Sequence, residues 1–352
     1  MPGTVWIGLD LGEKSTNLCA VGPEGVPICE EVYPTSIEDV ERALASWRDS
    51  IELIGVEAGN APYLIRNLRG RGYPIAVFEA RKASRFLAIR RSKTDASDAR
   101  GLADLARLGK NTVSQVHLKS IEFQELRAEL VLRHKLIQVR MALESSIRSR
   151  LRLYGRRMKS TTKLGAVRET VSKELDILVR EEGLDIRSQL MPVVELCESV
   201  RFHLRQYDES LKKRARDHPV CGRLMEVPGV GPICAFSFYS AVEDPFRFER
   251  PTDVGAYLGL VPRRYQSGDQ TRSLGITKTG NKLTRAHLMS AALSLRLSKR
   301  DCALKDWDAA LKERIGPARA KVAVARKLAV LMLILWRTGR AFQPYPEQCG
   351  TQ

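Results

Sequence analysis

Hydrophobic runs in the first hundred residues are short and are bounded by glycine, proline or asparagine. Such runs, rich in apolar and β-branched residues, predict strands at 4–11, about 17–22, about 27–33, 52–57 and 74–79. Apolar positions three and four residues apart predict helices at about 36–49, 60–71, 80–92 and 96–108. Three consecutive strands predict an antiparallel meander, and two strands alternating with helices predict parallel additions to the same sheet.

The pattern changes at about residue 119, where strand signals end and long helical patterns begin. One helix is predicted at about 120–153. A later stretch has apolar positions at alternate spacings of four and three, the seam of a coiled coil: Val193, Cys197, Val200, Leu204, Tyr207 and Leu211. The simplest arrangement is an antiparallel helical hairpin, interrupted by the basic stretch around 154–166. Such a hairpin either braces domains, pairs protomers or packs only within its own chain.

A third kind of sequence begins at about residue 220. The segment from Met225 to Ala235 is typical of a helix-hairpin-helix turn, whose glycines let backbone N–H groups approach a phosphate. An ordinary turn between helices fits it equally well. Residues 265–270 are predicted to form a polar loop, and helices follow at about 282–299 and 317–338. The fold class is therefore α/β plus all-α, with domains at 1–112, 113–219 and 220–345 and a tail at 346–352.

Four acids stand in otherwise apolar or small-residue segments of the N-terminal part. Asp10 and Glu57 end two predicted strands, and Asp95 and Asp98 lie three apart at the start of a helix, on one face. Carboxylates held close repel one another unless a cation intervenes, and hard oxygen ligands suit Mg²⁺ or Mn²⁺. Each acid alone is compatible with a turn or cap residue. Together, in this strand order, they predict a metal-dependent site on an RNase H-like sheet, where two metal ions can hold a phosphodiester.

The charge of the chain is unevenly distributed. Lys and Arg balance Asp and Glu in residues 1–112, at 15 each, so the remainder carries the whole excess of +17. A basic excess of this size favours a polyanionic partner, although a merely soluble basic protein remains an alternative. The seven cysteines form no C-x-x-C pair, and the N-terminus has no signal-peptide pattern. We therefore expect a reduced, cytoplasmic protein with no membrane partner.

Taken together, these motifs resemble the DEDD transposases of bacterial insertion sequences, the IS110 type, which is related to the Piv site-specific invertase. The resemblance spans nearly the whole chain. The N-terminal part resembles the RuvC-like half through Gly8-Leu9-Asp10, Val56-Glu57-Ala58 and Lys93-Thr94-Asp95-Ala96-Ser97-Asp98-Ala99. The C-terminal part resembles the transposase half through Val227-Pro228-Gly229-Val230-Gly231-Pro232, Leu258-Gly259-Leu260-Val261-Pro262, Gln266-Ser267-Gly268 and Gly275-Ile276-Thr277-Lys278-Thr279-Gly280-Asn281.

The resemblance implies a chemistry that the residues alone leave open. In this family the four acids hold magnesium, and a serine matching Ser267 attacks the phosphodiester to form a covalent phosphoserine–DNA intermediate. Arg263 or Arg264 would then stabilise the charge of the transition state. Without the resemblance, a Ser-Gly pair in a loop is ordinarily a turn. Ser237, Ser240 and Ser273 are competing nucleophiles of lower rank.

The resemblance also implies partners. These are double-stranded donor and target DNA, a structured guide RNA (bridge RNA) that pairs with both, and further copies of the chain in a homodimer or homotetramer. The serine would come from a partner protomer, and the protein would act at the bacterial nucleoid. The predicted nucleic-acid contacts are basic or glycine residues on four segments: Arg81, Lys82, Arg85, Arg90, Arg91, Lys93, Gly229, Gly231, Arg263, Arg264, Lys278, Lys282 and Arg285.

Two other functions remain compatible with the residues. A metal-only Holliday-junction resolvase or nuclease would use water as the nucleophile, with Ser267 a loop residue. A non-catalytic nucleic-acid-binding protein would need none of the four acids, and their presence disfavours it.

Overall fold

The chain forms two compact units in a computed structural model, an N-terminal unit over 1–119 and a C-terminal unit over 120–352. The structure describes residues 3–59, 61–88, 94–109, 115–159, 163–267 and 270–346, with backbone alone for 264–267 and 270–274. The three-domain division predicted from sequence stays a prediction.

A five-stranded mixed sheet forms the centre of the N-terminal unit. Its strands are β1 (Val5–Leu11), β2 (Ser15–Val21), β3 (Pro27–Pro34), β4 (Ile51–Glu57) and β5 (Ile75–Phe78), in the order β3-β2-β1-β4-β5. The first three pair antiparallel, whereas β4 pairs parallel to β1 and β5 parallel to β4. The predicted meander and the two parallel additions are confirmed.

Helices cover both faces of this sheet. They are α1 (Ile37–Ala45), α2 (Pro62–Gly70), α3 (Ala80–Leu87) and α4 (Asp95–Arg107). Alternate residues of β1, namely Ile7, Leu9 and Leu11, share a core with α1 and α2. Trp6 instead packs in the cores that contain α4. Because successive strand residues point to opposite faces, the even-numbered residues of β1 face α4.

Three helices, one more than predicted, begin the C-terminal unit. They are α5 (Ile121–Arg152), α6 (Ala166–Glu182) and α7 (Arg187–Asp217). α5 and α7 are the long helices of the predicted hairpin, and they pack together. Helix α6 is absent from the predicted hairpin. It packs against Val194 and Cys197 of α7 through four buried residues, Val167, Val171, Leu175 and Leu178. That part of the predicted seam therefore serves α6 as well as α5.

The remainder of the C-terminal unit is mainly helical and shares one core with the ends of α5 and α7. Its elements are α8 (Pro219–Leu224), α9 (Pro232–Val242), a 3₁₀ turn (Pro245–Arg247), α10 (Asp253–Tyr257), β6 (Pro262–Ser267), β7 (Gln270–Ile276), α11 (Lys282–Leu297), α12 (Ala303–Ile315) and α13 (Pro317–Thr338). Leu126 and Leu130 of α5 and Leu211 of α7 join this core. Among the described helices, none has the length and apolar character needed to cross a membrane.

The polar loop predicted at 265–270 is wrong, because strands β6 and β7 form an antiparallel hairpin there. Its register pairs Tyr265 with Arg272 and Ser267 with Gln270. The polar residues of this segment masked the strand pattern, since no apolar run of the usual kind marks it. Ser267 is therefore the last residue of a strand.

Candidate active site

Strand β1 and helix α4 lie unusually close because residue 8 is a glycine. A Cβ at Gly8 would overlap the carbonyl oxygen of Ala99 and the amide nitrogen of Ala103. Gly8 therefore faces α4, and Asp10, two residues farther along the strand, faces the same side. Since Ala99 lies one helical turn after Asp95, the contact at Gly8 brings the start of α4 toward Asp10.

A second glycine does the same for the neighbouring strand. Gly55 pairs in register with Gly8, and a Cβ there would lie 2.5 Å from the carbonyl oxygen of Leu102. Glu57 follows Gly55 by two residues and shares its face. Each of these two parallel strands thus places a glycine against α4 and, two residues later on the same face, an acid.

The start of α4 is fixed by a side-chain cap. The Thr94 hydroxyl accepts a hydrogen bond from the Ser97 amide at 3.2 Å, which satisfies one of the free donors of the first turn. Asp95 and Asp98 follow within this first turn, where negative charge is favoured by the helix dipole. Asp95 is exposed, and Asp98 is partly buried.

The four acids influence one another electrostatically. Burial raises the pKa of the Asp10 carboxyl, and the negative charges of Asp95, Asp98 and Glu57 raise it further, to about 6. All four predicted acids therefore lie on one side of the sheet within reach of the Asp10 charge. Repulsion of this kind is relieved when a cation binds between the carboxylates.

The donor set fits a hard divalent cation, because every candidate ligand is a carboxylate oxygen. Within the described ranges, no three His, Cys, Asp or Glu side chains are already arranged to hold a metal ion. The metal site predicted from the sequence therefore stays a prediction, although the charges of Glu57, Asp95 and Asp98 act on the Asp10 carboxyl.

The hairpin of β6 and β7 carries the other predicted catalytic residue, Ser267, at the end of β6. Arg263 is exposed on the same strand, and the backbone of Arg264 pairs with Ser273. The competing Ser237 and Ser240 are each 1% exposed on α9. The Ser237 hydroxyl lies 3.0 Å from that of Thr284, so this serine ties α9 to α11.

Three of the predicted nucleic-acid contacts, Arg81, Lys82 and Arg85, lie on α3. Ala83 and Leu87 are buried, whereas Arg81, Lys82 and Arg85 are exposed. A helix with this distribution presents its basic side chains to solvent, as a phosphate-binding surface requires. Three further predicted contacts, Arg90, Arg91 and Lys93, lie outside the described residues.

The turn between α8 and α9 contains the predicted phosphate-binding glycines. Gly229 has a φ of +86°, which favours glycine, and a Cβ there would lie 2.5 Å from the carbonyl oxygen of Ala291. Gly229 is therefore needed for close packing against α11. Gly231 precedes α9 and has open space on its Cβ side.

Of the basic residues predicted around α11, two are on the surface and one is not. Lys278 and Lys282 are exposed, and Lys278 has a left-handed φ of +57°. Arg285 is only 9% exposed and donates to the carbonyl oxygens of Leu258 and Thr279. A nucleic-acid contact is therefore the wrong role for Arg285, because its guanidinium is committed to main-chain carbonyls inside the unit.

Sequence reasoning missed the part played by Gly8 and Gly55. The available signal was a glycine two residues before each strand-end acid. Because the side-chain period of a strand is two, that spacing places the small residue and the acid on one face.

Comparisons with known proteins match both halves of the chain. The model of the DEDD-type transposases of the IS110 group matches residues 7–155, and a model described as the transposase IS116/IS110/IS902 family matches residues 221–307.

Two curated relatives extend over almost the whole chain. The transposase for insertion sequence element IS1111A of Coxiella burnetii is 29% identical over 336 residues, covering 94% of this chain and 88% of the relative. The transposase for insertion sequence element IS1328 of Yersinia enterocolitica is 24% identical over 344 residues, covering 97% and 99%.

Proposed function

Because this chain belongs to the IS110/IS116/IS902 family of transposases and is a DEDD-type DNA transposase, we propose that it cleaves and rejoins DNA strands through a serine-bound intermediate. The observation that carries the proposal is the placement of Asp10 beside three further carboxylates on the α4 side of the sheet. The N-terminal unit would be the RuvC-like catalytic domain, and the hairpin of β6 and β7 would carry the nucleophile.

The DEDD family implies a divalent metal, and Mg²⁺ is the ion we propose, with Mn²⁺ as a substitute. Asp10, Glu57, Asp95 and Asp98 would hold it. When bound, the metal would supply positive charge that polarises the phosphodiester and favours the ionised nucleophile. The acids themselves contribute hard oxygen donors held by β1, β4 and the capped start of α4.

Ser267 would perform the covalent step. Its Oγ attacks phosphorus, the Oγ–P bond forms, and the bond from phosphorus to the 3′ oxygen breaks. The hydroxyl proton leaves Ser267, and the released 3′ oxygen takes up a proton. One phosphodiester is exchanged for another, so a new 3′-hydroxyl can reverse the step and join a different strand. Arg263 or Arg264, on the same strand, would stabilise the charge that develops on phosphorus-bound oxygens.

Ser267→Ala tests this assignment against a nuclease that uses water. We expect the variant to bind DNA while losing both the covalent protein–DNA product and strand transfer. Ser290→Ala, which changes an exposed serine of α11, serves as the matched control. Strand cleavage by Ser267→Ala in Mg²⁺ would contradict the proposal and would identify a metal-only nuclease or junction resolvase.

We also propose that a structured RNA selects the DNA sites, as a guide that pairs with donor and target at the bacterial nucleoid. The exposed basic face of α3 and the basic excess of residues 113–352 support a partner recognised through its phosphates. Sequencing of the nucleic acid that co-purifies at low salt tests this. A discrete RNA required for strand transfer is expected, and transfer by RNA-free protein would contradict it.

A homodimer or homotetramer is the proposed working form. Helix α5 exposes Leu132 and Val139, which are 56% and 44% exposed, and its C-cap residue Leu153 is 70% exposed. The three residues are spaced in multiples of seven. Apolar residues at this spacing form one stripe along a helix, which suits pairing with a second copy. Light scattering should therefore show smaller particles for Leu132→Glu. Leu297→Glu, at a residue of α11 that is 86% exposed and lies outside this stripe, is the control and should behave as wild type.

A further inference from the structure

The hairpin that carries Ser267 is joined to the rest of its unit through a compact base. At this base the Thr277 amide donates to the Val261 carbonyl at 2.9 Å, and the Lys278 amide donates to the Gly259 carbonyl at 3.2 Å. The segments that enter β6 and leave β7 are thus hydrogen-bonded to each other immediately outside the strands.

Two glycines let these segments approach closely. Gly259 has a φ of +68°, and a Cβ there would lie 2.5 Å from the Thr279 amide nitrogen. Gly280 has a φ of +71°, and a Cβ there would overlap the carbonyl oxygen of Tyr257. The backbones of 257–259 and 278–280 therefore touch, with no room for side chains between them.

One buried side chain joins both segments. The Arg285 Nη1 donates to the Leu258 carbonyl at 2.9 Å and to the Thr279 carbonyl at 2.8 Å. Leu258 precedes the hairpin and Thr279 follows it, so a single guanidinium group spans the hairpin base. The contact with the Leu258 carbonyl is buried, so loss of the donor leaves that carbonyl unsatisfied, and such a loss is more costly than loss of an exposed contact.

Arg285 is itself held on a rigid helix. Asn281 caps α11 by accepting from the amides of Leu283 and Thr284 at 3.0 and 3.2 Å. The Thr284 hydroxyl donates to the Ser237 carbonyl of α9 at 3.1 Å, inside the core. The first turn of α11 therefore gives Arg285 a fixed position relative to α9.

The length of the hairpin amplifies small movements at its base. Ser267 lies six residues beyond Val261, which is about 20 Å along a strand at about 3.3 Å per residue. A tilt of about 3° at the base would displace the end of β6 by about 1 Å, and a misplacement of that size can reduce a rate about 100-fold.

We propose that Arg285 is a positioning residue for strand exchange, which sets the angle of the β6–β7 hairpin and thereby the location of Ser267. This role rests on the proposed function of Ser267 as the nucleophile. It differs from a nucleic-acid contact, because the guanidinium acts on the protein's own main chain.

The experiment measures the rate of covalent adduct formation between full-length protein and end-labelled target DNA, together with the affinity for that DNA. Arg285→Gln should slow adduct formation by about 100-fold while DNA affinity changes by less than about threefold. Arg285→Lys retains a cationic donor to both carbonyls and should recover at least about tenfold of that loss. Arg337→Gln is the matched control, because Arg337 also donates to two carbonyls, those of Pro245 and Phe248, and neither belongs to the two segments that Arg285 joins. It should react like wild type.

Each outcome separates the two proposals. An unchanged adduct rate in Arg285→Gln, or an equal loss in Arg337→Gln, would overturn the positioning role and leave the serine assignment intact. A parallel loss of DNA affinity would identify Arg285 as a binding residue instead. No adduct in the wild type, or an undiminished adduct in Ser267→Ala, would overturn the serine assignment and this inference with it. If Arg285→Gln does not fold, Arg285→Lys must still react faster than Ser267→Ala and slower than wild type.

Discussion

In the N-terminal unit the acids proposed as metal ligands are carried by elements whose backbones touch at Gly8 and Gly55, whereas in the C-terminal unit the hairpin of Ser267 is held by hydrogen bonds from the buried Arg285. Close backbone packing fixes the acids through shape. A buried guanidinium fixes the hairpin through directed bonds. The first arrangement is disrupted by added volume, and the second by the loss of a donor.

The two regions also differ in charge. Residues 1–112, which include Asp10, Glu57, Asp95 and Asp98, have no net charge. The basic excess lies in residues 113–352. A carboxylate site in a strongly basic environment would have its charges compensated by protein cations. In a neutral one, a bound metal compensates them. The unit with the acid site therefore suits cation binding, and the rest of the chain suits phosphates.

Removing one acid charge should give the largest effect. Asp10→Asn keeps the size of the side chain but removes the carboxylate beside Asp95, Asp98 and Glu57. We expect DNA cleavage and strand transfer to fall by roughly 10³-fold or more, since one of the proposed metal ligands is lost. Gel assays of cleavage with DNA binding measured in parallel would test this. Glu52→Gln, at an exposed residue of β4, should retain full activity.

Filling the backbone contact should be the next largest effect. Gly8→Ala places a methyl group against the α4 backbone, so α4 must shift, and we expect a loss of about 2–3 kcal/mol in stability together with reduced cleavage. Thermal unfolding of the variant measures the first. Gly59→Ala, where nothing lies within 4 Å, is the control and should unfold near the wild-type temperature. Equal melting temperatures for all three proteins would contradict the close-packing account.

The C-terminal unit should lose stability as the pH falls below neutral. Burial, together with the charges of the nearby Arg133 and His134, lowers the pKa of His287 on α11 from 6.5 to about 4. In the unfolded chain His287 therefore binds a proton below about pH 6.5, whereas in the folded unit it stays neutral until the pH falls to about 4.

The contribution of neutral His287 to the free energy of unfolding is complete above pH 6.5. It declines as the pH falls toward 4, by about 2 kcal/mol between pH 7 and pH 5. Urea unfolding at several pH values would measure this loss. His287→Gln should flatten the profile, and His203→Gln, at an exposed histidine of α7, should not. A wild-type slope in His287→Gln would refute the assignment.

The smallest expected effect concerns nucleic-acid affinity. Arg81→Gln and Arg85→Gln each remove a cation from the exposed face of α3, and each should reduce the slope of log K against log salt by about 0.9. Binding titrations from low to moderate salt would provide the slope. Arg42→Gln removes a cation that is paired with Asp39 at 3.0 Å, so it should leave the slope unchanged.

The acid region could be predicted from sequence to a greater extent than the hairpin region. Strand-end acids and a helix that begins with Asp95 follow local periodicity, and periodicity places residues on faces. Ser267 was found only through family resemblance, and the strand that carries it lacks an apolar pattern. Arg285 looks like a surface cation in the sequence. Its guanidinium is buried against the Leu258 carbonyl, 27 residues earlier in the chain. Local sequence patterns do not encode a contact at that separation.

The stereochemistry of strand transfer tests the central claim most directly. A target DNA with one phosphorothioate of known configuration at the exchanged position distinguishes the two chemistries. Attack by Ser267 followed by attack of a 3′-hydroxyl on the serine-bound phosphate makes two in-line displacements, so the account predicts retention of configuration at phosphorus. Inversion in the transferred product would mean a single displacement without a serine intermediate, and would contradict the account.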